Sequence, residues 1–147
     1  MSNFLTITLK GAEKVAKYLV QQQEKQIASM EKAHAKVATE AVRHLKRGLS
    51  HYGGSGKNQV ASPKGSMPFL HTGQLRESIG FKVARRGKKV TSEVGSGAQV
   101  RAAPYAKYLE GYNNDGIRPF LWAVQELYTP QRIIAYFNEY YAKAKGK

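Results

Sequence analysis

The chain contains no cysteine, which removes disulfides, thiolate metal ligands and thiol nucleophiles together. That absence fits folding in a reducing cytosol. Negative charge is also scarce: 10 Asp and Glu stand against 24 Lys and Arg, for a net charge of +14. The acids are scattered, and no two stand together in a setting that would shift a carboxyl pKa. The four histidines, His34, His44, His51 and His71, show neither HExxH nor a metal-type spacing to a carboxylate, so no metal is expected. Ser50, Ser62, Ser66 and Ser78 lack a nucleophile-elbow context. GGSGK at Gly53–Lys57 lacks the phosphate-loop spacing and follows a helical pattern instead of a strand, so it reads as a flexible linker. The residues therefore offer no catalytic constellation and call for no cofactor. No window approaches the ~20 apolar residues that span a bilayer. The start, MSNFLTITLKG, lacks the charged-then-apolar plan of a secretory signal.

The 147 residues fit one domain over 1–147. Leu5, Ile7 and Leu9 alternate with Thr6 and Thr8, which predicts a half-buried strand over Phe4–Leu9. Residues 11–49 predict a long helix, with apolar steps of three and four through Val15, Leu19, Ile27, Met30, Ala33, Val37, Ala41, Leu45 and Leu49. The stripe lacks a strong apolar residue over Gln21–Gln26, which calls for a bend there or an outside support for the turns before it. A glycine-rich loop follows at about 50–67. A hairpin is expected over 79–95, with Ile79, Phe81 and Val83 facing Val90 and Val94 across a turn at Gly87. Thr129-Pro130 starts a last helix with Thr129 as its cap, and Ile133, Ile134, Phe137, Tyr140 and Tyr141 form its apolar face. Lys143–Lys147 reads as a frayed tail. The fold class expected is α+β: a long N-terminal helix and C-terminal helices packed on a small antiparallel sheet.

Charge is uneven. Residues 53–103 hold +7 of the +14, against +5 before and +2 after. Lys82, Arg85, Arg86, Lys88 and Lys89 crowd the hairpin, making it the candidate contact for a polyanion or an acidic partner. Phe81 is the one nearby ring and alternation turns it inward, so base stacking is not expected. Seven of the nine tyrosines fall from Tyr105 onward, a composition that favours an interface.

Three short pieces organise the middle of the chain. Thr72 precedes Gly73, Leu75, Arg76 and Ile79, and reads as the cap of a short helix. Pro104 opens a second, with Tyr105, Tyr108 and Leu109 as anchors, ending at Glu110. Arg118 and Pro119 lead into a third, carrying Phe120, Leu121, Trp122 and Val124. The order Thr-Gly-x-Leu-Arg-x-Ser-Ile, hairpin, Tyr-Ala-x-x-Leu-Glu-Gly, Arg-Pro-Phe-Leu resembles the tail-completion and head–tail joining proteins of tailed bacteriophages. The likeness covers residues 62–124, and it departs after Glu110, where Gly111-Tyr112-Asn113-Asn114 replaces an aromatic followed by Gly-Thr.

That resemblance implies a structural virion protein of the neck, assembled in the host cytoplasm. It implies a ring of copies, sixfold or twelvefold, between the head connector or head-completion proteins and the tail-tube or tail-terminator proteins. DNA would pass through the ring, with at most transient contact, and no membrane is involved. Thr72, Gly73, Leu75, Arg76, Tyr105, Tyr108, Glu110, Arg118 and Phe120 are then the candidate fold-defining residues or subunit and partner contacts. The alternative is a small basic, non-specific nucleic-acid-binding protein of a mobile element. A DNA binder holds free duplex with a steep salt dependence, whereas a neck protein binds connector and tail proteins.

Overall fold

The computed structural model describes residues 12–51, 62, 68, 73–98, 101, 103, 104, 106, 120–125 and 127–146. Helix α1 (Ala12–Gly48) is unbroken over 37 residues, a spine of about 55 Å at about 1.5 Å per residue. It is continuous through the polar stretch at Gln21–Gln26, and the support there is polar. Arg85 from the hairpin grips both carboxylate oxygens of Glu24, at 2.9 and 3.0 Å. Gln26 Nε2 donates to the Tyr141 hydroxyl at 3.2 Å.

Helix α2 (Gln74–Ser78) is shorter than the pattern suggested, and its cap differs. Gly73 holds the N-cap position at φ 77°, with no side-chain hydrogen bond. A side chain is disfavoured at that φ, which is why glycine enters this helix. Thr72 lies outside the described residues. Ile79 stands just past α2 as the first residue of strand β1 (Ile79–Arg86), yet it reaches the same buried cluster as Leu75.

Strand β2 (Lys89–Ser96) pairs antiparallel with β1 through a two-residue turn, Gly87-Lys88. Gly87 has φ 59°, the left-handed value that a tight hairpin turn demands. The register sets Ile79 opposite Ser96, Phe81 opposite Val94, Val83 opposite Ser92 and Arg85 opposite Val90. That face turns to α1, as the Arg85–Glu24 pair and a His34–Ser92 hydrogen bond fix. The sheet has two strands among the described residues; the strand expected at Phe4–Leu9 falls outside them.

The main core lies where the C-terminal half of α1 meets α2, the base of the hairpin and the segment at 120–128. Ala41, Leu45, Leu49, Leu75, Ile79, Ala103, Ala106, Phe120 and Val124 form it, with Val94, Leu121 and Tyr128 packed at its edge. Alanines on this stretch of α1 let neighbours approach closely. Pro119 lies outside the described residues, and the helix expected after it is a single 3-10 turn, Leu121–Val124. Helix α3 (Pro130–Lys145) starts as expected, with Thr129 Oγ1 accepting from Arg132 N and Pro130 in the first turn. It reaches Lys145, inside the stretch expected to fray: Lys143 pairs with Glu139 at 2.5 Å and Gly146 N donates to Ala142 O. It packs along α1 with Ile133, Phe137, Tyr140 and Tyr141 half-buried, but Ile134, expected on the same face, is exposed, and no residue of α3 is fully buried.

Candidate functional site

Strand alternation divides the cations of the hairpin between two faces. Arg85 points to α1 and is spent on Glu24. Lys82, Arg86 and Lys89 stand on the opposite face, which is open to solvent, with Ala84, Thr91 and Glu93 between and beside them. These six residues line an open trough of about 330 Å³. Lys88 projects from the turn. The only hairpin cation with a carboxylate within 4.0 Å, among the described residues, is Arg85. The tip is therefore not five equivalent cations: four are free and one is a clamp.

Polar links tie the other elements to α1. His34 Nδ1 lies 2.6 Å from Ser92 Oγ, and Ser92 Oγ also bonds the Tyr128 hydroxyl. Burial holds the His34 imidazole below its usual pKa and raises the Tyr128 phenol. Glu40 joins α3 to α1. Tyr136 donates to it at 2.6 Å, Arg132 at 2.9 Å, and the Lys36 ammonium stands 3.7 Å away. Burial pushes the Glu40 carboxyl up, but Tyr136, Arg132 and Lys36 together outweigh it and hold the pKa below the ordinary carboxylate value. The same hydrogen bond raises Tyr136. At the hairpin base, Ser78 Oγ donates to Leu75 O and bonds Ser96 Oγ, which accepts from Ala103 N. Sequence reasoning missed all three links. A signal existed for two of them: Ser92 and Ser96 fall on the inward beat of β2, where valine would be expected.

The residues singled out by motif separate by depth. Leu75 is 6 % exposed and Phe120 1 %, so both hold the core together and neither is open to a partner in this chain. Gly73 is the left-handed entry to α2. Arg76 is half-buried, donating to Glu77 at 3.1 Å and to Ser50 Oγ at 3.4 Å. Tyr105, Tyr108, Glu110 and Arg118 lie outside the described residues.

A second exposed feature is apolar. Val15, Tyr18, Leu19 and Val20 in the first turns of α1 are 58–60 % exposed. They precede Glu24, where the hairpin tip meets the helix. Elsewhere, Val94, Leu121, Val124, Gln125 and Tyr128 surround a largely apolar hollow of about 290 Å³. No helix among the described residues is long and apolar enough to cross a membrane.

No curated protein and no solved structure matches the chain. A family model does, over residues 9–111, more than two thirds of the sequence; its description is "Bacteriophage HK97-gp10, putative tail-component". The match takes in α1, α2, the hairpin and the motif at 104–110, and stops before α3. A tail component is a virion part that meets other virion proteins, so this chain's surfaces are to be read as assembly surfaces. The chain belongs to the HK97-gp10-like family of bacteriophage tail components.

Proposed function

We propose that this chain is a structural protein of the phage neck, which completes the tail and joins it to the head connector as one subunit of a ring. Its work is assembly and not catalysis. The observation that carries the reading is the run of exposed apolar side chains at Val15, Tyr18, Leu19 and Val20, on a helix that extends past the hairpin tip that meets it at Glu24. The apolar hollow beside Val94, Leu121 and Tyr128 supplies a counterpart. Those residues pack on the cluster containing Ala41, and Leu19 stands about 33 Å from Ala41 along a helix that rises about 1.5 Å per residue. The two features of one copy therefore cannot meet each other, but those of adjacent copies can. Contacts between different patches close into a ring when the rotation divides the circle. A sixfold or twelvefold ring leaves a passage for DNA and two faces, one for the connector and one for the tail.

Electron microscopy and light scattering of the purified chain test this. Rings of one size are expected, and Leu19→Glu should return monomers with an unchanged circular dichroism spectrum. In infected cells, particles lacking the chain should accumulate as separate heads and tails. Normal joining without it would overturn the neck assignment.

A further inference from the structure

The outer face of the hairpin is a surface that neither the core nor the assembly contacts use. We infer that it is a binding site for the phosphodiester backbone of duplex DNA. The inference rests on this face alone and not on the position of the chain in the virion.

Four observations carry it. Lys82, Arg86, Lys88 and Lys89 have no carboxylate within 4.0 Å among the described residues, so their charge is available to a ligand. The side chains between them are Ala84 and Thr91, which leave a trough instead of a ridge. An anionic strand can therefore approach closely. The face carries no aromatic and no large aliphatic side chain. Protein partners are bound through an apolar or aromatic centre and select against lysine, whereas DNA interfaces are polar and strongly positive. That composition favours phosphate over an acidic protein. Finally, Lys82 and Arg86 are four residues apart on β1, about 13 Å at about 3.3 Å per residue, so the cations are strung along a line and not bunched at a point.

The opposite face of the ribbon rests on α1, so the hairpin cannot bury itself in a groove. It can only lie against the backbone. With no ring available for stacking and no hydrogen-bonding amide among the trough residues, contact is independent of base sequence. Glu93 offsets one of the four cations, leaving about three phosphates neutralised and a slope of log K on log salt near −2.7.

Fluorescence anisotropy on a 20-base-pair duplex tests the site. Between 50 and 200 mM salt the wild-type chain should weaken by about 40-fold, as that slope requires. Arg86→Gln with Lys89→Gln should flatten the slope by about 1.8 and reduce the same loss to about fourfold. Arg43→Gln with Arg47→Gln removes equal charge from exposed positions on α1 and should leave the slope near the wild-type value. Thermal melts confirm that both double variants are folded. Equal slopes for the two double variants, or binding to poly-glutamate with no binding to duplex at 50 mM salt, would overturn the assignment. Either result would leave the tail-component reading untouched.

Discussion

Helix α3 has no fully buried residue, so its attachment to α1 depends unusually on Glu40, and removing that carboxylate should be measurable. In Glu40→Ala three contacts go: the Tyr136 hydrogen bond at 2.6 Å, the Arg132 pair at 2.9 Å and the Lys36 pair at 3.7 Å. A hydrogen bond to a charged group contributes about 1.5–3 kcal/mol when well shielded. Here the Glu40 and Arg132 side chains are 23 % and 40 % exposed, and solvent screening brings the Arg132 pair below about 1 kcal/mol. The Tyr136 bond adds about 1 kcal/mol, the more distant Lys36 little, and alanine returns a few tenths through its higher helix propensity. Glu40→Ala should therefore cost about 1.5 kcal/mol by urea denaturation at pH 7, and Tyr136→Phe about 1 kcal/mol.

The pH dependence separates this network from packing. The folded carboxyl titrates below its ordinary 4.5. Its contribution is therefore fully present above that value and disappears as pH falls through the lower, folded value. His34 also titrates below its ordinary 6.5 because burial opposes its charge, so its contribution is present above 6.5 and fades as pH falls below it. Subtracting the Glu40→Ala curve from the wild-type curve cancels His34 and leaves the carboxylate alone. That difference should be flat from pH 7 to 5 and shrink below 4.5. A loss smaller than about 0.5 kcal/mol at pH 7, the range of an inert surface change, or a difference that does not depend on pH, would refute the network as the fastening of α3.

Two further outcomes follow from the packing. Leu45 is fully buried between α2, the hairpin base and Phe120, so Leu45→Ala should cost about 2–5 kcal/mol in a urea melt; a cost under about 1 kcal/mol would mean that this cluster is not the core. Arg85→Met removes the clamp on Glu24 while keeping an aliphatic stem, and should speed amide hydrogen exchange at Thr91, which pairs with Ala84 across the ladder, and in the α1 turn around Glu24 without changing exchange at Ile79. Unchanged protection at both sites would show that apolar packing alone holds the tip.

The sequence made the repeating parts of this structure legible because their physics is local. Apolar steps of three and four marked α1, alternation around Gly87 marked the hairpin, and Thr129-Pro130 marked the start of α3. Each needs only a few neighbouring residues to be recognised. The failures were of a different kind. Gly73 displaced Thr72 as the cap because the path into α2 requires a left-handed residue, which depends on where the preceding chain arrives. For Leu75 and Phe120 the motif left fold-defining and contact roles open, and only tertiary packing places both in the core. The polar stretch at Gln21–Gln26 looked like a weakness because its partners, Arg85 and Tyr141, lie 61 and 115 residues away. Pairings at that separation leave no periodic trace.

The basic hairpin shows most clearly how a fold reassigns what composition suggests. A count of charges at the tip treats Arg85, Arg86, Lys88 and Lys89 as one patch. Strand alternation forbids this: Arg85 and Arg86 must point to opposite faces, and α1 occupies one of them. Glu24, an acid in the middle of the support-poor stretch of α1, then accepts the inward arginine and fixes how the ribbon lies on the helix. The consequence is that orientation and charge presentation are coupled. The pair that spends one cation holds the remaining four outward, with Lys82 carried onto the same face by its even spacing from Arg86. A hairpin with the same composition but its arginine pair shifted by one residue would exchange their roles. It would turn the second arginine of the pair to α1 and leave the first on the solvent side, on the face of Ala84 and Thr91. The arrangement of charge on this tail component is thus set by register, and net charge alone says little about what it can bind.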